Sequence, residues 1–229
     1  MAARSENRKK EFITQDAFGG LMSVPTQAAR EPLPPGQVWG KRFVIYAALG
    51  VQHLDASKWR LEVTGLVKTP LVFGYEEIQT LPMKTYSKTF HCVTSWSIEN
   101  PLWEGVPIKH LADAAGVKPE AKWVMFHCYD GYTAPIPVED ALMSDSIVAL
   151  RMNGKPLSAE QGFPARPFMP HLYAWKSAKW LGKIEFIADY ADGYWEALGY
   201  HERGNVYDEE RFKGSSPHKK LSRQAFGTA

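Results

Sequence analysis

Residues 90–97 read Phe90-His91-Cys92-Val93-Thr94-Ser95-Trp96-Ser97, a thiol in polar and aromatic company. Upstream, Lys84 to Cys92 alternates, with Tyr86, Lys88, Phe90 and Cys92 on one face, which predicts a β-strand. Downstream, Ser97-Ile98-Glu99-Asn100-Pro101 is polar and turn-prone. A thiol at the end of a strand, opening into a loop, combines a fixed backbone with a reachable sulfur and suits a ligand or a nucleophile. The polar neighbours Thr94, Ser95, Ser97 and Asn100 fit a pocket mouth. A buried structural cysteine is the competing reading, because cysteine is among the most buried residue types.

The chain has 229 residues, enough for one large domain or two small ones. Its 45% hydrophobic and 23% charged content is that of a globular protein. A formal charge of +2 argues against a strong nucleic-acid binder. Eight Trp and ten Tyr favour large, partly polar pockets, or serve the core. Two cysteines, Cys92 and Cys128, cannot build a disulfide framework, and reduced thiols fit a cytoplasmic protein. The sequence holds no CxxC, no HExxH and no zinc-spaced Cys/His cluster. The basic start is followed too soon by Glu11, Gln15 and Asp16 for a secretory signal, and no twin arginine is present. No run reaches the roughly 18 apolar residues of a membrane span.

Residues 1–33 are expected to form an arm, 34–212 the domain and 213–229 a tail; Leu33-Pro34-Pro35 at the first boundary cannot hold a helix. Phe43-Val44-Ile45-Tyr46 reads as a short strand or as an extended segment across a pocket. Strands are expected at Trp59–Thr64, Leu71–Phe73, Lys122–Cys128, Ile147–Met152, Arg166–Met169 and Lys183–Ala188. Short helices are expected over Tyr75–Leu81, from Val106-Pro107-Ile108 to Gly116, and over Pro137–Met143. Asn153-Gly154 is a hairpin signal. From Asp189 onward the chain is polar and aromatic, with little periodicity. Strands outnumber helices, there are no internal repeats, and no GxGxxG follows a strand. The pattern predicts an α+β fold of mixed, mostly antiparallel sheets with short helices.

Three further segments carry candidate chemistry. His127-Cys128-Tyr129-Asp130-Gly131 ends a second strand in a His-Cys pair, read either as surface groups or as a site. Arg166 with Lys176-Ser177-Ala178-Lys179 offers an Arg fork, two ammonium groups and small residues that let backbone N–H groups approach, a set able to hold a phosphate. Trp175 and Trp180 flank the lysines and argue against a freely solvated patch. Pro170-His171-Leu172-Tyr173-Ala174-Trp175 joins these cations as an aromatic loop, serving either packing or a pocket.

Together these segments resemble the molybdopterin-binding domain of the sulfite oxidase family, over roughly Pro34 to Phe212. The resemblance rests on Trp59–Gly65, Cys92–Ser97, Trp103-Glu104-Gly105-Val106-Pro107, His127-Cys128 with Gly131-Tyr132-Thr133, and above all Pro170–Trp180. It is nearest the stand-alone bacterial oxidoreductases of that family, with the methionine sulfoxide reductase catalytic subunit more distant. It implies the sulfite-oxidase molybdopterin-domain fold, a molybdenum-molybdopterin cofactor, and Cys92 as the single protein thiolate on the metal. A soft thiolate suits a sulfur-rich centre, and coordination keeps it deprotonated. The resemblance puts Arg166, Ser177, Ala178 and Lys179 on the pterin and its phosphate, and Gln161 at a cofactor-contacting position. It implies a pocket wall at Cys128, pocket-lining segments at His127 and His171, and a pterin-facing segment at Phe43.

The implied activity is two-electron oxygen-atom transfer on a small substrate, with an external electron donor or acceptor, since no second redox motif is visible. Val93-Thr94-Ser95-Trp96 offers no arginine next to Cys92, and no haem or dimerisation domain is expected, which argues against sulfite as substrate. Two rivals stand beside this reading. One is a cysteine-nucleophile enzyme with His127 or His171 as base. The other is a non-catalytic module holding a phosphorylated ligand through Arg166, Lys176 and Lys179.

Overall fold

The computed structural model describes residues 32–214. Nearly all of the expected arm and tail lies outside the described residues. The alternating stretch at Trp59–Thr64 forms strand β2 (Arg60–Gly65), with Leu61 and Val63 fully buried and Arg60 and Glu62 turned to water. It sits in a five-stranded sheet ordered β3 (Leu71–Gly74), β2, β13 (Leu181–Ile187), β8 (Trp123–Cys128), β9 (Thr133–Pro137). The β2–β13 pair is parallel and the others antiparallel.

A second sheet runs β11 (Lys155–Pro156), β10 (Ile147–Met152), β7 (Leu102–Pro107), β4 (Lys84–Ser87), with β12 (Arg166–Phe168) also paired to β10, all antiparallel. A small third sheet joins β1 (Val38–Trp39), β6 (Trp96–Ile98) and β5 (Phe90–His91). The helices are short: α1 (Tyr75–Gln79), α2 (Ile108–Ala115) and α3 (Val138–Ala141). The expected α+β architecture of mixed, mostly antiparallel sheets is what is found.

Two cores result. The larger packs Ile108, Leu111, Ala112 and Ala115 of α2 against Leu61, Val63, Phe126, Val148, Ile184 and Phe186 of the sheets. The smaller stacks Trp103 on Phe168 at 4.1 Å and gathers Phe90, Ile147 and Met152, with Phe43 and Trp96 at its edge. Burying each such large side chain stabilises by roughly 1.5–3 kcal/mol. This second core brings Arg166 of β12 over the ring of Phe90, two residues before Cys92.

The single strand expected over Lys84–Cys92 is two. β4 pairs with β7 as far as Ser87 opposite Leu102, and the chain then crosses at Lys88-Thr89 to pair β5 with β6. Thr89 Oγ1 holds the crossing against Asn100 Oδ1 at 3.0 Å. The segment before α2 is also more than a helix start. Trp103 to Val106 is strand, and Pro107 ends it where the helix begins. Gly105 permits that strand, because a Cβ there would lie 2.1 Å from the Val148 carbonyl oxygen on β10. Asn153 (φ +54) and Gly154 (φ +73) make the expected tight hairpin between β10 and β11. Phe43–Tyr46 is not a strand and takes no regular secondary structure.

Candidate active site: a thiol and a cation cluster around one cavity

Between the third sheet, β12 and the loop after it lies a cavity of about 360 Å³, within the span of small-molecule sites. Cys92 opens onto it from a tight turn. The Cys92 N–H donates to Trp96 O at 2.8 Å, the Ser95 N–H donates to Cys92 O at 3.1 Å, and Ser95 takes the left-handed conformation at φ +72. Gln37 Nε2 donates to Cys92 O at 3.2 Å, and its Oε1 accepts from Ser97 Oγ at 3.0 Å. The Cys92 sulfur is half-buried, 3.2 Å from Thr94 Oγ1.

The cations approach from β12 and the loop that follows. Arg166 is buried, and its fork donates to Ser177 Oγ at 2.9 Å, Ser177 O at 2.6 Å and Gln161 O at 3.0 Å, with its carbon 5.4 Å over the Phe90 ring. Burial lowers its pKa to about 10, so it stays charged at neutral pH. Lys179 Nζ donates to Tyr46 O at 2.6 Å and Glu160 O at 3.2 Å, above the Trp180 ring at 4.8 Å. Burial, then the Arg166 charge, lowers its pKa to about 8. The Gln161-Gly162 loop is pressed on this lysine: Gly162 has φ +101, and a Cβ there would lie 2.9 Å from Lys179 Cα.

Of the residues singled out in the sequence, Phe43, Cys92, Gln161, Arg166, Ser177, Ala178 and Lys179 line this one cavity. The Phe43–Ala48 segment forms another wall, with Phe43 edge-on to Phe90 at 5.2 Å.

His127, Cys128 and His171 are not among the lining residues. His127 Nε2 lies 2.7 Å from Glu185 Oε2 on the neighbouring strand, an ion-pair position on the first sheet. Cys128 packs against the larger core behind the wall; burial, then Asp130, pushes its thiol well up, so it holds its proton. His171 Nε2 lies 3.0 Å from Asp140 Oδ1, and Arg203 clamps the same carboxylate at 2.8 and 2.9 Å. Burial alone would raise the Asp140 pKa, but the His171 and Arg203 hydrogen bonds outweigh it and hold it at about 2.

Lys176 is a correction to the expected phosphate set. Its side chain is fully buried, 2.6 Å from Glu196 Oε1 and 2.7 Å from Pro135 O. Glu196 Oε1 also accepts from Trp175 Nε1 at 2.8 Å. The ammonium is spent inside the protein.

Three contributions come from the stretch that reads as aperiodic. Trp195 and Tyr200 line the cavity, 4.9 Å apart, with Tyr200 5.1 Å from Trp175. Arg211 reaches back to the cysteine turn, where its Nη1 donates to Val93 O and, at 3.1 Å, to Ser95 Oγ. The density of Trp and Tyr was the only sequence signal for the first two. Nothing local signalled Arg211, which acts across 118 residues.

Comparison with known proteins fits this geometry. Residues 48–195 match the oxidoreductase molybdopterin binding domain. The chain is 40% identical over 181 residues to the uncharacterized oxidoreductase YuiH of Bacillus subtilis (strain 168), covering 79% of this chain and 91% of that protein. It is 27% identical over 170 residues to the protein-methionine-sulfoxide reductase catalytic subunit MsrP of Campylobacter jejuni, covering 67% and 57% respectively. Among solved structures, the sulfane dehydrogenase SoxCD of Paracoccus pantotrophus superposes with a TM-score of 0.57 at 27% identity, over 61% of this chain and 41% of that one.

Proposed function

The chain belongs to the oxidoreductase molybdopterin binding domain family and is an enzyme, and on that premise we propose that it carries out two-electron oxygen-atom transfer at a molybdenum-molybdopterin cofactor held by Cys92. The observation that carries the reading is that Cys92 and the Arg166–Ser177–Lys179 group line the same cavity. A soft sulfur donor and a phosphate-binding group are the two protein contacts that a metal-dithiolene cofactor with a phosphate tail requires.

The residues present fit such a group. The Cys92 thiolate supplies the protein ligand. The Arg166 fork, already oriented by Ser177 and Gln161, and the Lys179 ammonium take the phosphate. One basic cluster fits one phosphate, hence a pterin without a nucleotide. Lys179 must turn from Tyr46 O and Glu160 O to do so. Trp96, Trp175, Trp195 and Tyr200 exclude water and present aromatic faces beside the cysteine. When bound, the cofactor supplies the two-electron chemistry, and the protein orients it.

We propose S- or N-oxides as substrates. Reduction then consumes the oxide, two electrons and two protons and yields the deoxygenated product and water. The electrons for that reduction are proposed to come from an external carrier. Arg166 and Lys179 are assigned to the phosphate and the Arg211 guanidinium is turned to Val93 and Ser95, so among the described residues no further cation lines the cavity to take an oxyanion such as sulfite. The two free thiols support a cytoplasmic location, checked by fractionating the native cell. No helix among the described residues is long and apolar enough to cross a membrane.

The two rivals lose their supports. Among the described residues no histidine lines the cavity, so a Cys92 nucleophile lacks its base. The phosphorylated-ligand module loses Lys176 to Glu196. The test is turnover by protein from a molybdopterin-competent host, with reduced viologen dye against sulfoxides and N-oxides and with ferricyanide against sulfite. Cys92-dependent oxide reduction is expected. Sulfite oxidation alone, or oxide reduction undiminished in Cys92→Ala, overturns the proposal.

A further inference from the structure

Arg211 is buried, yet it meets mostly neutral partners. Its Nη1 donates to Val93 O and Ser95 Oγ, its Nη2 reaches Gly36 O at 3.4 Å, and its carbon lies 4.9 Å over the Tyr173 ring. Among the described residues its one carboxylate neighbour is Glu209, 3.9 Å away and 38% exposed. That distance is beyond hydrogen bonding. A buried guanidinium costs free energy unless a negative charge meets it. The place where this one points is the turn that carries Cys92.

The turn itself needs holding. Ser95 is a non-glycine residue at φ +72, a conformation that surrounding contacts must maintain. Arg211 grips the turn at two points, Val93 through its carbonyl and the strained Ser95 itself through its hydroxyl. The guanidinium also reaches the cavity wall through one residue. Tyr173, whose ring lies under the Arg211 carbon, is fully buried. Its ring stacks at 5.3 Å on Trp175, a wall of the cavity.

We propose that Arg211 is a positioning residue for the metal site: its fork fixes the Cys92–Trp96 turn, and its buried charge offsets the negative charge gathered by a thiolate-bound centre. This rests on the reading that Cys92 ligates molybdenum. A fixed cation near the centre favours the more electron-rich state and so raises the midpoint potential. Glu209 partly offsets that cation and so lowers it. A clamp without an electrostatic role would not produce opposite shifts from these two residues.

The experiment compares wild type, Arg211→Gln, Arg211→Lys and Glu209→Gln, all from a molybdopterin-competent host. Each is measured for molybdenum content, thermal melting, the thiolate-to-metal absorption band and the midpoint potential of the centre. The expected results are a lower potential and a displaced band in Arg211→Gln, a potential nearer wild type in Arg211→Lys, and a higher potential in Glu209→Gln. A folded, metal-loaded Arg211→Gln with the wild-type potential and band overturns the proposal. If that variant does not fold, an unshifted potential in Glu209→Gln, a partly exposed position, overturns it equally. Wild-type protein without molybdenum is a different result: it sinks the parent reading, and this one with it.

Discussion

The Lys176 ammonium lies 2.6 Å from a Glu196 carboxylate oxygen with both side chains fully buried, while Lys179, three residues later, lines the cavity. The two lysines look equivalent in sequence, and the backbone separates them. The 3-10 turn Ala174–Lys176 ends at Ser177, which leaves helical geometry at ψ 65, so the i, i+3 relationship is broken between them.

Exchange of these lysines is expected to act on different properties. Lys176→Met leaves Glu196 buried without its cation, at a cost of about 3–5 kcal/mol. For a chain of this size that lowers the melting temperature by on the order of 10 °C. Lys179→Met is expected to melt within a few degrees of wild type, on the order of 1 kcal/mol, and to retain less cofactor. Thermal melts paired with metal analysis of both variants check the division.

Anion binding through Lys179 is expected to weaken as pH rises. Its pKa of about 8 in the unloaded protein means that the ammonium is present below that pH and lost above it. Affinity of the cofactor-free protein for inorganic phosphate should therefore fall between pH 7 and pH 9.5, by at most about tenfold per pH unit above the pKa. The same shift affects folding with the opposite sign. The unfolded lysine, with a pKa of about 10.4, binds more protons than the folded one in this window, so this group's contribution to stability rises with pH. Calorimetric titration of phosphate at three pH values checks the first effect, and Lys179→Arg should flatten it.

Asp140 ties α3 to His171 and Arg203 and sets the acid limb of stability. Its folded pKa of about 2 lies below the ordinary value of 3.8. Its contribution is present in full above the ordinary value and is lost as pH falls from there through about 2. The whole effect is about 2 kcal/mol by linkage. Urea unfolding at pH 6 and pH 3 should show part of that loss in wild type. Asp140→Asn should be less stable at pH 6 and lose less between the two pH values.

Gly105 is expected to be intolerant of any side chain. A Cβ there would sit 2.1 Å from Val148 O and 2.7 Å from Ala149 Cα, both backbone atoms of β10. Gly105→Ala should cost several kcal/mol, about 3 or more, read as lost soluble yield or a large drop in melting temperature. Gly154→Ala meets nothing within 4 Å and strains only φ +73. It should cost about 1–2 kcal/mol.

Much of this protein was legible in its sequence where structure is local. Alternation marked β2 and the two faces of β8, and Asn153-Gly154 marked the hairpin that ends β10, because side-chain period and turn chemistry act over a few residues. The gathering of Cys92 with Arg166, Ser177 and Lys179 came from a resemblance of motifs, not from spacing. What stayed hidden is long-range. The break at Lys88-Thr89 depends on which sheet each half pairs with. Lys176 looked like a ligand because its partner Glu196 is 20 residues away. Trp195, Tyr200 and Arg211 sit in a segment with one 3-10 turn, Glu196–Leu198, and isolated bridges, so no period marks them.

The central claim is a bond between the Cys92 sulfur and molybdenum, and X-ray absorption at the molybdenum edge reads it directly. Wild type and Cys92→Ser would be purified from the same molybdopterin-competent host, with melting curves confirming the fold of each. The predicted result is a metal-loaded wild type whose molybdenum loses one sulfur neighbour in Cys92→Ser. An identical sulfur count in the two proteins, or a wild type that carries no molybdenum, would contradict it.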